Sequence, residues 1–165
     1  MSRIFILALI VVTATACTSE LTDEIRRAQG KAAPILITSL SPSQPNSAGG
    51  VSVSAQFINT SSQIIKYVRF HVTPYNRVGD VAPSEIGKKT TAVLTQVGPI
   101  EPRQAAGQFE EWSNVWYNHA IQCIKLEKVD VIYMTGGEQE RTGSDALELL
   151  ATDLSPSKLC RTSLY

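Results

Sequence analysis

The chain has 165 residues, and its 15 Lys and Arg residues balance its 15 Asp and Glu residues, so its formal net charge is zero. A chain of this length is the usual size of one globular domain. The neutral charge balance argues against a nucleic-acid partner, because a protein that binds nucleic acid needs a basic face.

The first 16 residues have the three parts of a secretory signal peptide. Arg3 supplies a positive n-region, Ile4–Val12 is an unbroken apolar run, and Thr13–Ala16 are small residues. The apolar run has roughly half the length of a membrane-spanning helix, so a permanent transmembrane anchor is the weaker interpretation. Ala14-Thr15-Ala16 is also an A-x-A site for ordinary signal peptidase.

Ala14-Thr15-Ala16-Cys17 resembles the lipobox of bacterial lipoproteins, although Ala14 stands where that family most often has Leu. The resemblance implies that Cys17 is lipidated with diacylglycerol and palmitate, becomes the first residue after cleavage, and anchors the protein to a membrane. Ordinary signal peptidase would cut the same bond and leave Cys17 unmodified. Thr18 after the cysteine resembles an outer-membrane sorting signal. The expected location is therefore the bacterial cell envelope, at the outer membrane and facing the periplasm if the host has two membranes.

The chain has three cysteines, Cys17, Cys123 and Cys160. A lipid on Cys17 leaves an even pair in an oxidising compartment. We therefore expect a disulfide between Cys123 and Cys160 that holds the tail on the domain, with two free buried thiols as the alternative. Neither cysteine has a CxxC partner or a histidine cluster, so the sequence predicts no metal site and no cofactor.

The predicted organisation has three parts: a lipoprotein signal peptide over 1–16, a lipidated tether with a short helix over 17–32, and a β-sandwich domain over 33–165. In the tether, Thr22 is the expected N-cap, and Gly30 is the expected C-terminal stop. Between Thr22 and Gly30, the acidic Asp23 and Glu24 come first and the basic Arg26 and Arg27 come last. This order suits the helix dipole.

Alternating apolar and polar residues predict two central strands, Gly50–Asn59 and Ile64–Tyr75. The polar turn between them predicts a hairpin, and Pro74 is expected to end the second strand. The residues expected to share one face are Val51, Val53, Ala55 and Phe57 in the first strand, and Ile64, Val68, Phe70 and Val72 in the second.

Further strands are predicted at Ala33–Leu40, at Thr90–Val97, from Phe109 to a bend at Trp116-Tyr117-Asn118, and at Ile121–Met134. Gly98-Pro99 is expected to break the strand at Thr90–Val97, and Glu127-Lys128 is expected to disturb the strand at Ile121–Met134. Gly136-Gly137 is expected to form a hairpin turn. The conformation of 138–165 stays open, since Ser144–Leu150 fits a helix or an edge strand. The fold class is mainly β: an antiparallel immunoglobulin-like β-sandwich of about seven strands behind a short N-terminal helix.

Within this pattern, Phe70-His71-Val72-Thr73-Pro74-Tyr75-Asn76-Arg77-Val78-Gly79-Asp80 resembles the strand-and-turn signature of FxLYD-type domains. Asn59-Thr60-Ser61 fits the same signature, whereas Thr73-Pro74 departs from it. The resemblance covers about thirty residues. It implies an immunoglobulin-like sandwich in a secreted or lipid-anchored prokaryotic protein, with an envelope role and no catalytic motif.

Aromatic residues are the best candidates for a partner-binding surface: Trp112, Trp116, Tyr117 and Tyr75. The alternative is that these rings fill the sandwich core. The two histidines, His71 and His119, are spaced neither as metal ligands nor as a base beside a nucleophile, so the sequence predicts no catalytic residues.

The expected function is a lipid-anchored envelope protein that is not an enzyme and acts as a binding or accessory module for another envelope protein. The alternative is an inhibitor or immunity-type lipoprotein that blocks a hydrolase or transfer machinery, and an envelope enzyme is the third interpretation. An exposed apolar patch around Trp112 would favour the first. A rigid protruding loop, such as Ser41–Gly50 or Gly98–Gly107, would favour the second. A deep pocket with His71 or His119 beside a carboxylate would favour the third.

Overall fold

The computed structural model describes residues 11–108, 111–152 and 160, so most of the apolar run Ile4–Val12 and Phe109 lie outside the described residues. Helix α1 spans Val11–Gly30. The predicted N-cap at Thr22 is wrong: no Gly or Pro interrupts α1 before Gly30, and Val11, where α1 begins, lies 11 residues before Thr22. Gly30 ends the helix, as expected. Among the described residues, no helix combines the length and the hydropathy needed to cross a bilayer.

In the described part of the chain, eight strands form two antiparallel sheets that make a β-sandwich, as the alternating pattern predicted. The elements after α1 are β1 (Ile35–Pro42), β2 (Gly50–Asn59), β3 (Ile65–Tyr75), β4 (Ala92–Ile100), β5 (Ala105–Ala106), β6 (Glu111–Tyr117), β7 (Cys123–Tyr133), β8 (Glu138–Thr142) and α2 (Ser144–Leu147). In sheet A, β2 pairs with β1 on one side and with β5 and β6 on the other; sheet B has the order β4-β3-β7-β8. This division of consecutive strands between two sheets is the immunoglobulin-like arrangement.

The core lies between the two sheets and is built by the alternating residues of their inner faces. Val51, Val53, Ala55 and Phe57 of β2 are buried, as predicted. The Phe57 ring meets the Phe70 ring of the other sheet edge to face, with 5.6 Å between the ring centroids. Such a pair adds about 0.5–1.5 kcal/mol to what burial alone contributes.

The predicted hairpin between β2 and β3 is wrong, because the two strands belong to different sheets. The Asn59 side-chain amide donates hydrogen bonds to Gln63 O (2.9 Å) and to Ile100 O (3.0 Å), so the turn is attached to the end of β4. A short polar turn can join two strands of one sheet or two strands of different sheets. Here β3 joins the other sheet because it pairs with β4 and β7.

The predicted face of β3 is wrong at its start. Ile64 is 38% exposed, whereas Ile65 is fully buried together with Val68, Phe70 and Val72. The register with both neighbouring strands shifts between Ile65 and Tyr67. A β-bulge of this kind adds one residue and reverses the alternation, so Ile65 comes to face the same side as Val68.

Two prolines lie inside strands that they were expected to end. Strand β4 continues through Pro99 to Ile100, and β3 continues through Pro74 to Tyr75. Strand β4 is an edge strand, where a missing N–H breaks no ladder. Pro74 lies beyond the last residue of β3 that pairs with β4, and it keeps its pairing with Ile124 of β7.

The second half of the chain matches the predicted irregularity and turn. Glu127 has no partner in the pairing of β3 with β7, which confirms the irregularity predicted near Glu127-Lys128. The turn before Gly137 closes the β7–β8 hairpin through a hydrogen bond from Tyr133 N–H to Gly137 O (2.8 Å). After the short helix α2, the chain runs beside β1, where Ile37 bonds to Leu149 and Ala151.

Cys123 and Cys160 are joined by the expected disulfide, with their Cα atoms 5.1 Å apart. Cys160 N–H also donates to Ile124 O (3.0 Å). Among the described residues, β8 pairs with Lys128–Ile132 of β7. The bond from Cys160 lies on the same edge of β7, before the part that pairs with β8. The bridge thus holds Cys160 against the start of β7.

Candidate functional site

The sandwich has two chemically different ends. Helix α1 joins the end where β2, β4 and β7 finish, which we call the helix end. The opposite end carries the loops 43–49, 76–91 and 118–122, which we call the far-end loops. In immunoglobulin-like sandwiches such clustered loops are the segments free to carry recognition, because the sheets fix their bases.

Hydrogen bonds tie the three far-end loops to one another. Asn118 N–H donates to Gly49 O (2.8 Å), and the Asn118 side-chain amide donates to Pro83 O (2.8 Å). Glu85 N–H donates to Tyr117 O (2.8 Å). Tyr117 N–H in turn donates to the buried hydroxyl of Ser84 (3.1 Å). The middle of loop 76–91 is therefore fixed against the end of β6.

The tips of two of these loops are fixed by asparagine side chains. Asn76 Oδ1 accepts hydrogen bonds from the N–H groups of Val78 (3.0 Å) and Asp80 (2.9 Å). Asn46 Oδ1 accepts from the N–H groups of Ala48 and Gly50, at 2.9 Å each. Asparagine side chains that bond their own backbone in this way hold a turn in one conformation.

Exposed apolar side chains concentrate on loop 76–91. Val78 is 80% exposed, Ile86 65% and Val81 42%. The loop also holds buried Ala82 and Ser84, so the exposure of its neighbours does not come from a detached segment. Three exposed apolar side chains on one loop that is held in place make this loop a candidate interaction site.

Two of the four predicted aromatic residues belong to this end. Tyr75 ends β3 and bridges to Val81, while Tyr117 ends β6 and bonds to Ser84 and Glu85. Both side chains are half-buried. The connection 81–85 therefore brings the surroundings of Tyr75 and Tyr117 together, which their separation in sequence did not reveal.

The other two predicted residues lie elsewhere. Trp116 is fully buried in the core, so its assignment to a partner-binding surface is wrong and the core alternative holds. Trp112 is half-buried between the sheets: its ring lies 6.3 Å from that of Phe70, and its Nε1–H donates to Thr95 O (3.3 Å). Trp112 covers the opening between β6 and β4 and is not part of the far-end loops.

His71 lies beside a carboxylate, on the outer face of sheet B. His71 Nε2 is 2.8 Å from Asp130 Oδ2, and Lys128 Nζ lies 3.0 Å from Asp130 Oδ1 and 2.9 Å from Glu140 Oε2. Burial alone would raise the pKa of the Asp130 carboxyl, but the hydrogen bonds from His71 and Lys128 outweigh burial and hold the pKa below its ordinary value. The same bonds to Glu140 and Asp130 raise the pKa of Lys128.

This charged group has the chemistry of a stabilised ion network. Asp130 is 4% exposed and both of its oxygens face cationic or hydrogen-bonding partners, so its carboxylate is held by them. Two clefts of about 320 and 230 Å³ lie at the helix end, and neither is lined by His71 or His119. His119 is instead an exposed residue of the far-end loops, packed close to Gly49.

Sequence reasoning missed the residues that most distinguish this surface, Val78, Val81 and Ile86. These residues lie in a mainly polar connection and follow no periodic pattern that would mark them. The available signal was the sequence Asn76-Arg77-Val78-Gly79, in which an asparagine and a glycine place an apolar residue at a turn tip.

Comparison of the chain with protein-family models, curated proteins and solved structures found no match. Its function is therefore inferred from its own residues.

Proposed function

We propose that this chain is a lipid-anchored protein of the bacterial cell envelope that acts, without catalysis, as a binding module for another envelope protein. Its anchor is the lipidated Cys17, and its binding surface is the far-end loops. The lipobox resemblance at Ala14–Cys17 and the pairing of the other two cysteines support the anchor. The exposed apolar side chains of loop 76–91 support the binding surface.

The contacts of α1 support an anchor held close to the domain. Ala28 is buried, and the Gln29 side chain donates to Thr60 O (3.2 Å). Nearer the N-terminus of the helix, the side chains of Arg27 and Glu24 bond to Thr152. Cys17 lies about 20 Å from Gly30 along the axis, at the usual helical rise per residue.

The observation that carries the proposal is the exposure of Val78, Val81 and Ile86 on loops that are hydrogen-bonded in place. A binding surface loses affinity when its loops must be ordered on contact. Loops that are already fixed avoid that loss, and apolar side chains at their tips gain free energy when a partner removes them from water.

A site-specific photo-crosslinker placed at Ile86 in intact cells tests this surface. The matched control is the same crosslinker at Met134, an apolar residue of similar exposure (57%) at the helix end. We expect one dominant envelope protein to be captured at Ile86 and not at Met134. Equal capture at both positions, or none at Ile86 in a folded protein, would contradict the proposed surface.

The inhibitor function is the second candidate, and the loop around Asn46 favours it. This loop bonds to itself through Asn46 Oδ1, and the Asn46 amide donates to Asn114 Oδ1 (3.3 Å). A preordered loop of this kind can enter an active site at small entropic cost. If the protein captured at Ile86 is a hydrolase whose activity falls when this chain is added, the inhibitor replaces the accessory module.

A further inference from the structure

The two edges of sheet B differ in charge. Strand β8 at one edge has the sequence Glu-Gln-Glu-Arg-Thr, which carries three charged residues in five. Strand β4 at the other edge has nine residues and none that is charged. Edge strands expose main-chain hydrogen-bonding groups that can pair with another strand, and charged side chains are a common protection against it. The β8 edge has that protection and the β4 edge lacks it.

The main-chain groups that face the β4 edge can be identified from one contact. Thr95 O accepts the hydrogen bond from Trp112 Nε1, so the polar groups of Thr95 point away from β3. Because these directions alternate along a strand, Val93 and Val97 also present their N–H and C=O groups at the edge. Their side chains lie on the outer face, where Val93 is 51% and Val97 62% exposed.

The cover on this edge is thin. The Trp112 bond to Thr95 O is 3.3 Å long, and the Gln96 side-chain amide reaches Val97 O at 3.4 Å. Gln96 Oε1 is buried and accepts no hydrogen bond from the described residues. A buried acceptor without a donor is destabilising, and the Gln96 amide that carries it lies beside the edge carbonyl of Val97.

We propose that β4 pairs antiparallel with β4 of a second copy of this chain, with the two Thr95 residues opposite each other. This register places Val93 of each copy opposite Val97 of the other. The edge-facing residues 93, 95 and 97 then form about six main-chain hydrogen bonds between the copies. Thr95 O has a second lone pair, so it can accept from the second copy while Trp112 remains in place.

A second copy fits this edge because the strand is complementary to itself. The proposed register sets β-branched residues opposite each other on the outer face, Val against Val and Thr against Thr, and such cross-strand pairs are favourable. The pairing buries no charge, because β4 has none. The result is one continuous sheet of eight strands whose remaining edges are the two charged β8 strands.

Antiparallel pairing sends the two helix ends in opposite directions. Both anchors would then reach one membrane when the strands lie along its surface. This orientation rests on the proposed lipid anchor, whereas the pairing itself does not.

Disulfide trapping of the full-length chain in intact cells tests the pairing and its register. In the antiparallel pair, opposite residues with edge-facing groups have Cα atoms about 5.5 Å apart, within disulfide reach. We expect Thr95→Cys to give a covalent dimer on non-reducing electrophoresis. The matched control is Thr142→Cys, an exposed threonine on the β8 edge of the same sheet, which should stay monomeric, as should the wild-type chain.

The register has its own control. Two Val93 residues would lie four positions out of register, about 14 Å apart along the strands, so Val93→Cys alone should not cross-link. Coexpression of the Val93→Cys and Val97→Cys chains should. A Thr95→Cys chain that stays monomeric, that links to a different protein, or that links no better than Thr142→Cys would overturn self-pairing. Failure of capture at Ile86 would leave this result unaffected, because it concerns a different surface.

Discussion

Replacing Cys123 and Cys160 together by alanine is expected to lower the free energy of unfolding by about 4 kcal/mol. The bridge joins residues separated by 37 positions, and the chain-entropy model assigns about that value to a loop of this length. For a domain of this size, 1 kcal/mol corresponds to roughly 2–4 °C in melting temperature. The double variant should therefore melt about 8–16 °C below the wild type. Replacing both cysteines avoids leaving one free thiol in the folded protein.

Urea unfolding followed by tryptophan fluorescence is a suitable assay, because Trp116 is fully buried and becomes exposed on unfolding. A reductant provides the matched control. It should lower the stability of the wild type to that of the double variant and leave the variant itself unchanged. A double variant as stable as the oxidised wild type, with the bridge in the wild type verified by mass, would refute the loop-entropy reasoning.

Two further predictions concern the anchor and the charged network. The N-terminal peptide purified from membranes should begin at Cys17 and carry the mass of a diacylglyceryl group; an unmodified cysteine there would show ordinary signal-peptidase cleavage. Because the folded-state pKa of Asp130 lies below its ordinary value of 3.8, its carboxylate stabilises the fold above that pH and loses this effect as the pH falls through the folded-state pKa. Asp130→Asn should therefore be less stable than the wild type at neutral pH, and the difference should shrink below about pH 4; a difference independent of pH would contradict the ionic role of Asp130.

Local patterns predicted the strands well where one face is buried along the whole element. Strand β2 is the clearest case, since its alternation reports directly on the core face. The same reasoning failed at the start of β3 because Ile64 and Ile65 are both apolar. Only the bulge beside Lys66 determines which of the two enters the core, and that bulge depends on the register with β4 and β7.

The connection from β2 to β3 shows what local sequence could not decide. The turn after Asn59 fits a hairpin equally well, but the Asn59 amide bonds to Ile100, 41 residues further along the chain. The candidate site depends on the same kind of information. Tyr75 and Tyr117 were selected because they are aromatic, whereas their shared location follows from the bonds of residues 81–85 to β3 and β6.

The disulfide and the far-end loops belong to one structural unit. Cys123 begins β7 at the far end, and the residue before it, Gln122, donates its N–H to Tyr75 O (2.9 Å). Loop 118–122 therefore runs directly from the bonded Asn118 to the bridged cysteine. Because Asn118 also holds Pro83 of loop 76–91, fixing the start of β7 restrains the segment that presents Ile86. The bridge thus stabilises the domain at the end that carries the proposed binding surface, so its loss should weaken capture at Ile86 even at temperatures where the sandwich stays folded.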